Sequence, residues 1–87
     1  MGVVAAVMAL AKLPRGARAS VADVTQNGLT TASLPVRLRE LGFLDGEAVQ
    51  VVAGGFAGGP IAVRIGGSTF ALRSAEAGCV LVHRPPA

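Results

Sequence analysis

The sequence predicts a small, mainly β domain: a partly open barrel of about five short strands with one short helix. Three observations lead to this prediction. The 87 residues allow one core and leave little room for a second. Short runs of alternating apolar and polar residues, separated by turns rich in glycine and proline, are typical of strands. A sheet this small must curl to cover its edges, which favours a barrel.

The first strand is predicted over residues 17–24. It follows a turn at Leu13–Gly16, where proline and glycine favour a reversal of the chain. Small or apolar residues then alternate with Arg18 and Ser20, and Asn27-Gly28 marks the next turn.

A change of period then predicts the helix. Leu34, Leu38 and Leu41 recur at i, i+4 and i+7, which places them on one helical stripe. The expected helix runs from about Leu34 to Leu41. Pro35 is tolerated in its first turn, and Gly42 is expected to end it. Because two turns are not stable alone, this helix must pack on the sheet.

The second half is predicted to hold four more strands and a short helical turn near Ala75. Its clearest signal is a hairpin, in which two alternating runs are separated by Gly66-Gly67. The glycine-rich stretch 54–60 is interpreted as a loop between strands, because the Lys-Ser or Lys-Thr of a phosphate-binding loop does not follow it. The four strands are expected near residues 48–52, 61–65, 69–73 and 79–83.

Composition argues against catalysis and against nucleic-acid binding. The net charge is +3, from eight basic and five acidic residues, and the basic residues do not form a run. The acids fall in different predicted elements, and the chain has a single His83 and a single Cys79, so no catalytic set is expected. A basic nucleic-acid-binding barrel is kept as an alternative.

Metal binding is the other alternative. Cys79 and His83 are weak candidate ligands, since four residues of extended strand separate them by about 13 Å along the chain. No cofactor is expected to be required, and the alternative function is a metal-binding or metal-sensing domain that takes a divalent ion such as Fe²⁺ or Zn²⁺ weakly. With a lone cysteine, an intrachain disulfide is excluded.

Three segments are expected: an apolar lead over residues 1–12, the barrel over 13–84 and a tail over 85–87. The lead is shorter than the roughly 20 apolar residues of a membrane-spanning helix. It also lacks the basic start of a signal peptide, so a cytoplasmic location is expected. Residues 1–10 are candidates for packing on a neighbouring copy or on a membrane surface, and self-association is left open.

Four segments together resemble the ferrous iron transport protein A (FeoA) family. They are LPRGARASV (Leu13 to Val21), RLRELGFLDGEAVQVV (Arg37 to Val52), GGPIAVRIGGSTFALR (Gly58 to Arg73) and AEAGCVLV (Ala75 to Val82). The resemblance implies an SH3-like barrel and a cytosolic accessory or regulatory protein of bacterial ferrous iron uptake. It also implies a partner, the cytosolic GTP-binding domain of the FeoB-type permease, through which the chain would lie peripherally at the inner membrane.

The family offers no catalytic residues to carry over, so the expected site is a contact surface for this partner. Its candidates are apolar residues beside the helix, arginines on the helix and a phenylalanine among glycines. They are Leu34, Arg37, Arg39, Phe43, Leu44 and Phe56.

Overall fold

The computed structural model describes residues 7–26, 32–54 and 59–84, in which six antiparallel strands form one sheet. The strands are β1 (Val7–Ala9), β2 (Arg18–Val24), β3 (Ala48–Gly54), β4 (Ile61–Ile65), β5 (Ser68–Leu72) and β6 (Val80–His83). The helices are α1 (Leu34–Leu41) and α2 (Ser74–Ala77), and Leu10–Lys12 form a 3₁₀ turn. The strand order is β1-β6-β2-β3-β4-β5, so β1 and β5 are edges and the sheet does not close. This confirms the mainly β, partly open architecture.

The sheet has one strand more than the five expected from the sequence. The additional strand, β1, lies in the apolar lead and pairs with β6, with Val7 opposite His83 and Ala9 opposite Leu81. A run of apolar residues without alternation does not distinguish a strand from a buried helix, which is why the sequence did not reveal β1. The next residue, Leu10, is fully buried in the core of the same chain. Residues 1–6 lie outside the described part.

Helix α1 has the predicted bounds, and its chemistry explains them. Proline stands in the first turn, and Gly42 adopts a φ of 122° while its N–H bonds back to the carbonyls of Arg39 and Leu38. Pro35 and Leu38 are the buried residues of the helix. Leu41, expected on the buried stripe, is instead 46% exposed. At about 100° per residue it lies at the margin of a buried side centred between Pro35 and Leu38.

The core lies on one face of the sheet and is built from aliphatic side chains. Alternation along β4 shows the pattern: Ile61, Val63 and Ile65 are buried, whereas Arg64 is exposed. Of the residues that the structure describes, Phe43 has the largest fully buried side chain, and its ring lies 6.1 Å from that of Phe70, centroid to centroid. Among the described residues no polar or charged side chain is buried, so burial of apolar area is what holds the domain together.

Cys79 does not lie within the last strand, where the sequence placed it. It occupies the turn between α2 and β6: its backbone N–H donates to the Glu76 carbonyl, and its thiol lies 3.5 Å from the Ala75 carbonyl oxygen. The helical turn near Ala75 therefore extends its hydrogen bonding to Cys79, and β6 begins one residue later. Val80 and Val82 of β6 share the buried face, as the sequence predicted.

Candidate functional site

The solvent-facing side of α1 carries an apolar strip with one positive charge. We define the helix surface as Leu34, Arg37, Leu41 and Leu44. The first three recur at i, i+3 and i+7, which places them on one side of the helix. Leu41 and Leu44 are 46% and 49% exposed, and Leu34 is half-buried against the core. Two large apolar side chains held half in solvent on one short segment are suited to contact with another protein.

Arg37 is the basic group of this surface. Its side chain is exposed, while its backbone N–H begins the helical hydrogen bonding by donating to the Ser33 carbonyl. In the described ranges, the ion pair involving this helix is formed by Arg39 with Asp23, and Arg39 lies on another side of the helix. Arg37 therefore offers a positive charge next to exposed leucines, which is a common composition of protein interfaces.

Arg39 ties the helix to the sheet. Its Nη2 donates to the carbonyl oxygen of Val24 over 2.9 Å and to Oδ1 of Asp23 over 3.2 Å, so a single guanidinium bridges α1 and the end of β2. Both side chains of this ion pair remain about half exposed, at 43% and 53%. Arg39 thus positions the helix surface, and its charge is already partly engaged within the chain.

Replacing Arg39 with glutamine is expected to lower the free energy of unfolding by about 1 kcal/mol, because a carbonyl and a carboxylate lose a charged donor at a solvent-exposed place. Urea unfolding measures it. Arg37→Gln on the same helix removes the same charge without a bond to the sheet, so it should change stability by less than about 0.5 kcal/mol. Equal losses in the two variants would show that the bridge to β2 contributes nothing.

The remaining contact candidates behave differently. Phe43 is fully buried, with its N–H bonded to the Leu38 carbonyl, so its assignment as a surface contact is wrong. The reason is that the chain turns inward directly after Gly42 and inserts the ring between helix and sheet. Phe56 lies outside the described residues. Conversely, Leu41 belongs to the helix surface although its heptad-like spacing suggested the core.

The metal-ligand candidates do not form a centre. Cys79 is buried beside α2, whereas His83 stands at the far end of β6, opposite Ser20 of β2 and Val7 of β1. Nδ1 of His83 is buried and makes no hydrogen bond to the described residues. No three His, Cys, Asp or Glu side chains of the described part come together as a metal site would need. The residues of this part therefore do not fit a resident metal ion.

Comparison with known proteins decides the family. The model of the FeoA domain matches residues 8–84, nearly the whole chain. The chain belongs to the FeoA family. FeoA of Stenotrophomonas maltophilia, a prokaryotic SH3 domain protein crystallised with zinc and related to ferrous iron transport, is 43% identical to it with a TM-score of 0.76. The alignment covers 86% of this chain and 88% of that one.

Two further solved FeoA structures agree with this assignment. FeoA of Chlorobium tepidum is 30% identical, with 91% of this chain and 71% of that chain covered and a TM-score of 0.76. An iron uptake regulatory protein (FeoA) is 26% identical, with 92% and 100% covered and a TM-score of 0.76. No curated protein matches the chain significantly. The fold is thus SH3-like, and the chain is a small protein associated with ferrous iron transport.

No helix in the described part of this FeoA-family chain is both long and apolar enough to cross a membrane.

Proposed function

We propose that the chain is an accessory, regulatory protein of bacterial ferrous iron uptake that docks on the cytosolic GTP-binding part of a FeoB-type permease. It works in the cytoplasm and reaches the inner membrane through this partner. Its action is binding, and it catalyses no reaction itself. Membership of the FeoA family supports the pathway. The helix surface supports docking.

The observation that carries the proposal is the exposure of Leu41 and Leu44 near Arg37, two of the four large apolar side chains that are exposed among the described residues. Leu41 ends α1 and Leu44 follows three residues later, and the helix is held in place by the hydrogen bond of Arg39 to β2 and by buried Leu38. A rigid element with apolar side chains in solvent loses little conformational freedom when a partner covers it, which favours tight binding. Arg37 adds attraction for an acidic rim on the partner.

The test is binding of the purified chain to the purified cytosolic GTP-binding domain of a FeoB-type permease from the same bacterium, measured by isothermal titration. The double variant Leu41→Ser/Leu44→Ser is expected to weaken binding at least about tenfold, because it removes two half-exposed leucines from the contact. Both residues are solvent-facing, so the fold should survive, which a thermal melt checks.

Val7→Ser is the matched control. Val7 is 50% exposed, so its apolar surface in solvent is comparable, but it lies on the edge strand β1 rather than on the helix. Its affinity is expected to stay within twofold of the unmodified chain. If the double variant and Val7→Ser weakened binding equally, the helix surface would not be the contact surface. If the unmodified chain showed no measurable binding, the permease domain would not be its partner.

A further inference from the structure

On the outer face of the sheet, two arginines flank a glutamine across three neighbouring strands. Arg18 of β2 pairs with Gln50 of β3, and Gln50 pairs with Arg64 of β4. The alternation of burial places all three side chains away from the core, because Ala19, Val49, Val63 and Ile65 beside them are buried. Two interstrand spacings separate the Cα atoms of the two arginines by about 10 Å, a distance that a short peptide segment can span.

A pocket of about 280 Å³ lies between these side chains. It is open to solvent, and it is lined by Arg18, Ala48, Val49, Gln50, Arg64 and the hairpin glycines Gly66 and Gly67. A Cβ added at either glycine would meet no atom within 4 Å, so the hairpin is uncrowded at these two positions.

The two charged residues that line the pocket are both arginines, and none of its lining residues is acidic. The carboxylate of β2, Asp23, is five residues from Arg18, about 16 Å along the strand, and it accepts the hydrogen bond of Arg39. The two guanidinium groups and the amide of Gln50 thus offer several N–H donors to a negatively charged group.

We propose that this pocket, the outer arginine site, binds the carboxylates of an acidic segment of a protein partner. Arginine presents paired donors that match a carboxylate, and Gln50 adds a neutral donor between them. A nucleic acid fits less well, because the lining residues include no aromatic ring for base stacking and two arginines make a short electrostatic footprint. The proposal rests on the proposed function only in that it takes the partner to be a protein.

The outer arginine site shares no residue with the helix surface. It is built on the solvent face of β2, β3 and β4, whereas the helix surface belongs to α1 and the turn after it. Two surfaces of different chemistry, one apolar and one basic, would let a partner make two distinct contacts with a small domain. The basic site supplies the charge selectivity that leucines cannot.

The test uses the full chain and a fluorescein-labelled peptide of six glutamates, with a peptide of six glutamines as the uncharged match. Fluorescence anisotropy measures affinity, and ¹H–¹⁵N NMR locates the peptide. We expect the glutamate peptide to bind more tightly than the glutamine peptide and to shift the signals of Gln50, Gly66 and Gly67. The double variant Arg18→Gln/Arg64→Gln is expected to lose at least about tenfold in affinity.

The control variant Lys12→Gln/Arg73→Gln also removes two positive charges, from exposed positions that neither line the pocket nor belong to the helix surface. Its affinity for the glutamate peptide should remain within twofold. Equal losses in the two double variants would overturn the site, because binding would then follow net charge alone. The site would also be overturned if single-stranded DNA or inorganic phosphate shifted the signals of these amides and the glutamate peptide did not. This experiment does not contain the permease. Its result therefore tests the outer arginine site even if the chain does not bind the permease.

Discussion

Replacing Phe43 with alanine is expected to lower the free energy of unfolding by about 3–5 kcal/mol, the range for truncating a buried phenylalanine. The side chain of Phe43 is fully buried, and its ring lies against that of Phe70. Its removal leaves a cavity between α1 and the sheet in a domain whose total stability is expected to be about 5–15 kcal/mol. Urea unfolding followed by circular dichroism measures the change.

The neighbouring residue provides the control for Phe43. Leu44→Ala truncates a side chain that is 49% exposed, and it should cost less than about 1 kcal/mol. If Phe43→Ala does not fold, Phe43→Leu keeps most of the volume and should cost about 1–2 kcal/mol. Similar losses for Phe43→Ala and Leu44→Ala would contradict the placement of Phe43 in the core and would return it to the candidate contact residues.

Gly54→Ala is expected to destabilise the domain by about 2–4 kcal/mol, because two effects combine at this position. Gly54 ends β3 with a φ of +86°, a region that costs a residue with a Cβ about 1–2 kcal/mol. In addition, the new methyl group would overlap the carbonyl oxygen of Pro60 and lie 3.0 Å from Cα of Ile61. The start of β4 would have to move away from β3.

Gly46→Ala separates the two effects. Gly46 has nearly the same φ, +87°, but a Cβ there would meet no atom within 4 Å. Only the conformational term of about 1–2 kcal/mol should therefore remain. Thermal unfolding of both variants, compared with the unmodified chain, gives the difference. Identical losses would mean that the close approach of Gly54 to Pro60 is not a constraint on this fold.

Much of the fold follows from local sequence signals. The leucine spacing and Gly42 predict α1 with its observed bounds, and the Gly66-Gly67 hairpin lies where alternation places it. β1 could not be predicted in this way, because a three-residue edge strand is defined by pairing with β6, a partner more than 70 positions away. The prediction that Cys79 lies in the last strand was wrong because Cys79 bonds back to Glu76 of α2, so that the strand begins one residue later.

The candidate site was predictable in part. The sequence pointed to Arg37 and Leu44, which are exposed, and to Leu34, which is half-buried. The sequence could not show which of Leu41 and Phe43 is buried, since both are large apolar residues near the end of α1. Only the packing decides that Phe43 turns inward and Leu41 stays in solvent. The outer arginine site was missed because its residues come from three strands and meet through sheet register.

Docking through α1 on the GTP-binding part of the permease can be followed by ¹H–¹⁵N NMR of the labelled chain during titration with that domain. We expect the signals of residues 34–44 to shift or broaden as the complex forms, with those of Leu41 and Leu44 among the most affected. An unchanged spectrum at saturating permease domain, or changes that leave residues 34–44 untouched, would contradict it.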